Sequence, residues 1–302
     1  MYEELFSERG LSLERLKVLV EVHDAGSIAG TAPGNAIRHS QYSRQLRELS
    51  EFFGREMTHR LGKVLKLTQE GASLAELVRP FLRGLADFRT ECRNERQNFS
   101  IASGDSIIQW LVIPKIGNLT KTLPDVRFTS LSLRTNEIVQ QIFDARVDFG
   151  LIRKNAVAPG LKCLPLGNLA YVAVIPAMMV SGKSAPTFSQ VFKTFPHAMQ
   201  TTEGQFTKQL LGIAFSQNHA FRPALSCESF PQTVAAVRSG RFAAIVPELA
   251  IRDLPTGSFH KLSDASLKSL RRELVLAWNP RVIKVRPHAI KVLTELGAAM
   301  KF

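Results

Sequence analysis

The sequence predicts a chain of three parts: a short helical head closed by a β-hairpin, one long helix, and a larger domain of alternating strands and helices. Three observations predict it. Helical apolar spacing recurs between Leu13 and Gly54 in segments bounded by capping or stop residues. A single amphipathic run of roughly 25 residues follows Thr68. From Phe99 onward, short apolar strands alternate with helical segments, which is the pattern of an α/β domain. With 302 residues, 45% of them hydrophobic and 22% charged, the chain has the length for more than one core and a composition unlike that of disordered chains.

Leu13, Leu16, Leu19, Val20 and His23 repeat with helical spacing, and Ser12 is placed to cap them. Gly26 stops this helix and Ser27 caps a second. Pro33-Gly34 keeps the second helix short, because proline removes a backbone donor and collides with the preceding turn. A third helix begins near Ile37 and runs through Tyr42, Leu46, Leu49 and Phe53 to Gly54. Three short helices, the last rich in Arg38, His39, Ser40, Gln41, Ser43, Arg44 and Gln45, match the layout of a helix-turn-helix. A helix that reads base edges needs such side chains: arginine grips guanine and glutamine grips adenine in the major groove. Alternation on either side of Gly62, from Thr58 to Thr68, predicts a hairpin that offers Arg60, Lys63 and Lys66 to phosphates.

Thr68 caps the long helix, with Gln69 and Glu70 in its first turn. Leu74, Leu77/Val78, Phe81, Leu85, Phe88 and Cys92 recur about every 3.5 residues, a seam suited to pairing with a second copy. Beyond it, strands are expected at 99–103, 126–133, 148–152, 161–166, 170–175, 197–201, 224–227, 243–246 and 273–278. Helices are expected at 106–119, 136–145, 205–215, 231–239 and 287–300.

The formal net charge is +13, which favours an anionic partner. Residues 1–71 are neutral overall, with ten basic and ten acidic residues, whereas 99–302 hold 24 basic against 12 acidic. Within the head, 38–66 carry seven basic residues against Glu48, Glu51 and Glu56, and Arg47 is spaced to pair with Glu51. Cys92, Cys163 and Cys227 are too few and too scattered for a disulfide framework or a zinc cluster. Glu3, Glu4 and Glu8 stand where an export signal wants basic residues. The longest apolar run, 169–180, contains Pro176 and is short of the roughly 20 residues of a membrane helix. A soluble cytoplasmic protein with no membrane partner is expected.

Gly26-Ser27-Ile28-Ala29 through Ser43-Arg44-Gln45-Leu46-Arg47-Glu48-Leu49 to Phe53-Gly54 carry the densest part of a resemblance to the LysR-type transcriptional regulators. It continues through Arg60, Gly62, Leu67-Thr68 and Gly71, and more loosely through 101–114, 147–152 and 240–247. Two features depart from the family. Its third helix usually opens Ser-Gln-Pro-Ala-Leu-Ser-Arg-Gln, where this chain has Arg38-His39-Ser40-Gln41-Tyr42-Ser43-Arg44-Gln45, and Pro33-Gly34 interrupts the second helix.

The resemblance implies a fold: an N-terminal all-α winged helix-turn-helix (1–71), a linker and dimerisation helix (72–98), and a two-lobed α/β effector-binding domain (99–302) like the type 2 periplasmic binding proteins. The lobes would be about 99–167 with 274–302, and about 168–273. It implies double-stranded DNA as partner, contacted by Arg38, His39, Ser40, Gln41, Ser43 and Arg44, with Arg60, Lys63 and Lys66 on the backbone. It implies a small, anionic effector ringed by Ser103, Gly104, Ser106, Thr135, Asn136, Thr201, Thr202, Ser229 and Phe230. Helix starts suit an anion, because they present free N–H groups and a partial positive charge, although the same residue types also serve as ordinary caps. It implies a homodimer through the long helix, or a tetramer built from it, and neither cofactor nor metal. No catalytic set stands out: His219, His260 and His288 lack Cys, Asp or Glu at triad or ligand spacing. Cys227 ends an expected strand close to the cleft, which leaves a redox role open, but it reads first as a buried structural thiol, since the closely spaced cysteine pair of the family's peroxide sensors is absent. The competing class is a cytoplasmic small-molecule-binding protein or an enzyme, which the same two-lobed fold also serves.

Overall fold

The computed structural model describes residues 2–62, 64–180, 186–200, 205–216 and 223–302. They form two units: Met1–Gln97 with Gln141–Asp148 and Asn279–Ile290, and Asn98–Gln140 with Phe149–Trp278 and Lys291–Phe302. Packing therefore groups segments of the expected effector-binding half, 141–148 and 279–290, with the head and the long helix.

In the first unit, one turn, α1 (Glu4–Ser7), precedes α2 (Leu13–Ala25). Ser12 caps α2 by accepting the Arg15 N–H, and Gly26 ends it at φ 72°, a left-handed conformation that glycine adopts without strain. Ser27 accepts the Gly30 N–H to open α3 (Ile28–Thr31), which Pro33-Gly34 keeps to one turn. The third helix, α4 (Ala36–Phe53), begins one residue before Ile37, because the Asn35 carboxamide oxygen caps it through the Arg38 N–H. Strands β1 (Thr58–Leu61) and β2 (Val64–Leu67) pair antiparallel, His59 opposite Lys66. Thr68 accepts the Gly71 N–H at the start of α5 (Gln69–Cys92), and Gly71 packs so tightly on the Met57 carbonyl that no Cβ would fit. Leu16, Leu19, Val22, Ile28, Leu46, Leu49, Met57, Ala75 and Val78 form the core of the head.

The seam of α5 is narrower than its spacing suggests. Val78 is buried in the core of the head and Leu74 packs against it. Leu77, Phe81, Leu85 and Phe88 are left 66%, 49%, 42% and 59% exposed on another face. A straight helix turns once per 3.6 residues, so a run read at 3.5 splits between two faces. Along the helix's inner side Gly84 lies against the Val285 carbonyl, again with no space for a Cβ.

The described strands of the second unit form sheets of five, three and two strands. The first has the order β4–β3–β5–β12–β6, from β3 (Gln97–Ser103), β4 (Val126–Ser132), β5 (Phe149–Arg153), β6 (Lys162–Leu169) and β12 (Arg272–Trp278). The second lobe holds β7 (Tyr171–Pro176), β8 (Ala198–Gln200), β9 (Leu225–Cys227), β10 (Ala244–Pro247) and β11 (Phe259–Leu262). There β10–β7–β11 form one ladder and β8–β9 another, and a His197–Ala243 bridge joins the two. The chain crosses between the lobes twice, after Leu169 and before Arg272, about two residues beyond the limits read from the sequence.

The helices of this half are α6 (Asp105–Ile107), a π-turn and α7 (Ile113–Thr122) in continuous succession, then α8 (Thr135–Phe143), α9 (Phe188–Thr194), α10 (Gln205–Ser216), α11 (Phe230–Arg238), α12 (Pro280–Val285), which packs on α5 in the first unit, and α13 (Ala289–Ala299). The nine expected strands are present, those at 197–201 and 224–227 shorter than read, and β11, α9 and α12 are additional. Among the described residues no helix is long and apolar enough to cross a membrane.

Candidate nucleic-acid interface and ligand cavity

Helix α4 presents Arg38, Ser40, Gln41, Ser43 and Arg44 to solvent along its first two and a half turns. Its inner side is tied down. The Tyr42 hydroxyl donates to Glu21 Oε2 on α2 at 2.6 Å, and that carboxylate, with burial, raises the phenol's pKa. Glu48 accepts from Arg44 Nε at 2.9 Å and from Arg15. These hydrogen bonds, Arg44's first, hold the Glu48 carboxyl below its ordinary range.

His39 is half-buried, and its Nε2 donates to the Ala32 carbonyl at 2.7 Å. The imidazole thus braces the turn that Pro33-Gly34 opens between α3 and α4. Ile37, read from the sequence only as the helix start, stands 74% exposed there. On the hairpin, Arg60 and Lys66 are exposed, and strand alternation with Lys66 opposite His59 puts them on opposite faces. Lys63 lies outside the described residues. Arg47 and Glu51 approach to 3.8 Å with both side chains in solvent.

For the effector ring, a Leu133 N–H to Ser103 carbonyl bond of 3.0 Å holds the ends of β3 and β4 side by side. The starts of α6 and α8 consequently share one edge of the first lobe. Ser103 itself is buried, and its hydroxyl donates to the Leu151 carbonyl at 2.7 Å. Gly104 has open space around it, and Ser106 and Thr135 are half-buried beside exposed Asn136. Both helix starts already hold acids: Asp105 opens α6, and Glu137 accepts the Arg134 N–H ahead of α8.

Ser229 accepts the Gln232 N–H as the cap of α11, while the Gln232 side chain accepts the Glu228 N–H. Phe230 is buried in an aromatic cluster, with ring centroids 5.0 Å from Phe206 and 5.8 Å from Tyr171. Thr201 and Thr202 lie outside the described residues. The two lobes meet where Trp110 Nε1 and Gln109 Nε2 donate to Asp253 at 2.7 and 2.9 Å.

A cavity of about 310 Å³ escaped the sequence reading. It is lined by Arg153, Lys154, Asn155, Gln205, Arg271, Arg272 and Glu273. The available signal was two basic pairs, Arg153-Lys154 and Arg271-Arg272, at the end of one expected strand and just before another. Among the described residues no group of three or more His, Cys, Asp or Glu could hold a metal ion. Cys227 is a buried free thiol; Cys92 and Cys163 are free and exposed.

A helix-turn-helix head with a hairpin, a long helix and a two-lobed α/β domain define the class of helix-turn-helix regulatory proteins with a ligand-binding domain. The chain belongs to the LysR family: the model of the bacterial regulatory helix-turn-helix proteins of the lysR family matches residues 13–72, and that of the LysR substrate binding domain matches 93–295. It is 28% identical over 142 residues to the HTH-type transcriptional regulator CrgA of Neisseria meningitidis serogroup B, and the match spans about half of that protein's length, 46% of each chain. In fold it is similar to ArgP from Mycobacterium tuberculosis, with a TM-score of 0.69, 18% identity and 96% and 97% of the two chains covered. A full-length OxyR variant from Pseudomonas aeruginosa gives 0.68 at 16% identity, covering 97% and 95%. CbnR complexed with its target DNA gives 0.53 at 17% identity, covering 96% and 100%.

Proposed function

We propose that this chain is a sequence-specific DNA-binding transcriptional regulator, acting in the cytoplasm, whose activity is set by a small, anionic effector held between the lobes of its α/β domain. The observation that carries the reading is the exposed polar face of α4, Arg38, Ser40, Gln41, Ser43 and Arg44, on a helix fixed from behind by Tyr42 on Glu21 and by Glu48 on Arg15. A rigid helix with arginine and glutamine outward can enter a major groove, with Arg60 and Lys66 available to phosphates. His39 acts in this reading by setting the angle of the turn rather than by touching a base. The exposed stripe Leu77, Phe81, Leu85 and Phe88 would pair two chains, because four large apolar side chains on one helix are otherwise left in water. Effector binding would then bias the closure of the two lobes across the Trp110–Asp253 contact. Members of this family are in general transcription factors rather than enzymes.

The test is a gel shift on duplexes selected by the wild-type protein from a random library. Arg44→Ala should lose roughly 1–3 kcal/mol of specific binding and relax the sequence preference, while the assembly state stays that of the wild type. Equal affinity and preference in the variant, or no enrichment of any sequence by the wild type, would overturn the reading.

A further inference from the structure

We propose that the cavity between the end of β5 and the start of β12 is an anion site built for a ligand with two or more negative charges, such as a polycarboxylate or a phosphate ester. The proposal rests on the effector-binding reading above and gives that effector a charge and a location. Four cations line the cavity, Arg153, Lys154, Arg271 and Arg272, against a single acid, Glu273. Glu273 is engaged by Lys154 at 2.9 Å, so one charge is met within the wall.

The two half-buried guanidiniums are held differently. Arg153 Nη1 donates to the Gln205 carboxamide at 3.0 Å, and Arg272 donates to the Gln209 carboxamide. Neutral amides orient a guanidinium without cancelling its charge. Among the described residues neither Arg153, Arg271 nor Arg272 has a carboxylate partner, and Glu203 lies outside them. Burial lowers the pKa of Arg272, and Arg153 beside it pushes the same way. Clustered cations in a partly closed wall are what an incoming anion relieves, and guanidinium forks suit carboxylate and phosphate oxygens alike.

Placement points the same way. The cavity sits at a strand end in an α/β domain and beside a crossing point between lobes, where such domains bind ligands. Its 310 Å³ is at the small end of ligand sites, which suits a compact, highly charged molecule over a bulky one. By contrast, the starts of α6 and α8 carry Asp105 and Glu137, so a carboxylate there would meet like charge.

The test uses the full-length protein in calorimetric titrations at fixed ionic strength, with citrate, inorganic pyrophosphate and acetate as probes. Citrate or pyrophosphate should bind at least about tenfold more tightly than acetate, and whichever of the two binds separates the carboxylate from the phosphate source. Arg153→Gln and Arg272→Gln should each weaken that binding by about ten- to a hundredfold, the loss of one charge-assisted hydrogen bond. Arg127→Gln, at an exposed position outside the cavity, should change nothing. Should Arg272→Gln disturb the fold, Arg271→Gln at its exposed neighbour takes its place.

Equal weak binding of all three probes, or binding untouched by the cavity variants, would overturn the proposal. A gel shift on the selected duplex separates the two readings. Polyanion binding lost in Arg153→Gln but without effect on DNA binding would sink regulation through this site and leave the site standing. A DNA response to citrate or pyrophosphate that survives unchanged in Arg153→Gln would leave the regulator and sink the site.

Discussion

Replacing Asp148 by asparagine tests the most buried ion cluster in the first unit. The Asp148 side chain is 0% exposed and accepts from Arg83 Nη2 at 2.8 Å and from Arg286. Arg286 is 1% exposed and also donates to Asp87. Those exposures decide which rule applies: a surface pair contributes about 0–1 kcal/mol, whereas removing one partner from a buried pair costs about 3–5 kcal/mol. Burial works against the charge on Arg286, but Asp148 and Asp87 outweigh it and hold its pKa above the ordinary value. Asp148→Asn is nearly isosteric, so packing stays while Arg83 and Arg286 both lose the carboxylate they share. Urea unfolding at pH 7 and fixed protein concentration should show a loss of about 3–5 kcal/mol. The double change Asp148→Leu with Arg286→Met should recover much of it, because apolar residues of similar volume replace such pairs at little cost. A loss below about 1 kcal/mol in Asp148→Asn would place the cluster with surface pairs and refute the argument.

Two further outcomes follow from other parts of the chain. Phe81→Asp should dissociate the assembly in sedimentation at micromolar concentration, since a carboxylate at the centre of an apolar seam has no partner; an unchanged sedimentation coefficient would place the dimer contact elsewhere. His197 is buried and stacks on Phe192, and burial lowers its pKa from 6.5 to about 4 despite a Phe195 backbone hydrogen bond. The unfolded chain therefore binds the proton first: the stability is complete above pH 6.5 and is lost as pH falls toward 4, by about 3 kcal/mol. Urea midpoints measured across that range should flatten in His197→Phe, and an identical slope in the variant would contradict the assignment.

What the sequence made legible was local. Ser12, Ser27, Gly26, Gly54 and Thr68 each cap or stop a helix where their chemistry demands it, because a cap is decided within about four residues. Even α9, which was not foreseen, had its signal in Thr187-x-x-Gln190, a reciprocal capping box. What stayed hidden depends on partners far along the chain. The sequence does not show that His39 Nε2 donates to the Ala32 carbonyl or that the Ser103 hydroxyl donates to the Leu151 carbonyl, since both acceptors reach them only through the fold. The basic cavity is assembled from 153–155, 205 and 271–273, which are neighbours only because the chain crosses between the lobes and returns. Spacing alone also could not divide α5 between its two faces, for that division requires knowing that Val78 fills the core of the head.

Charge in the head is sorted by place rather than by sum. Residues 1–71 sum to zero, which by itself argues against a polyanionic partner. The structure sorts those charges by place. Glu48 is engaged by Arg15 and Arg44, Glu21 by Lys17 and the Tyr42 hydroxyl, and Asp24 by Arg79 and Arg146. Burial alone would raise the pKa of Asp24, but Arg79 and Arg146 together outweigh it and lower it, so the group stays ionised where it is bound. Two of its partners come from outside the head, from α5 and from the segment after Ala145, so they neutralise an acid that the head's own sum counts as free. Among the described residues, meanwhile, Arg38, Arg60 and Lys66 are exposed and form no ion pair. A neutral sum thus conceals acids consumed within the fold and cations left outward, and it is the outward cations whose counterions a phosphate backbone would displace.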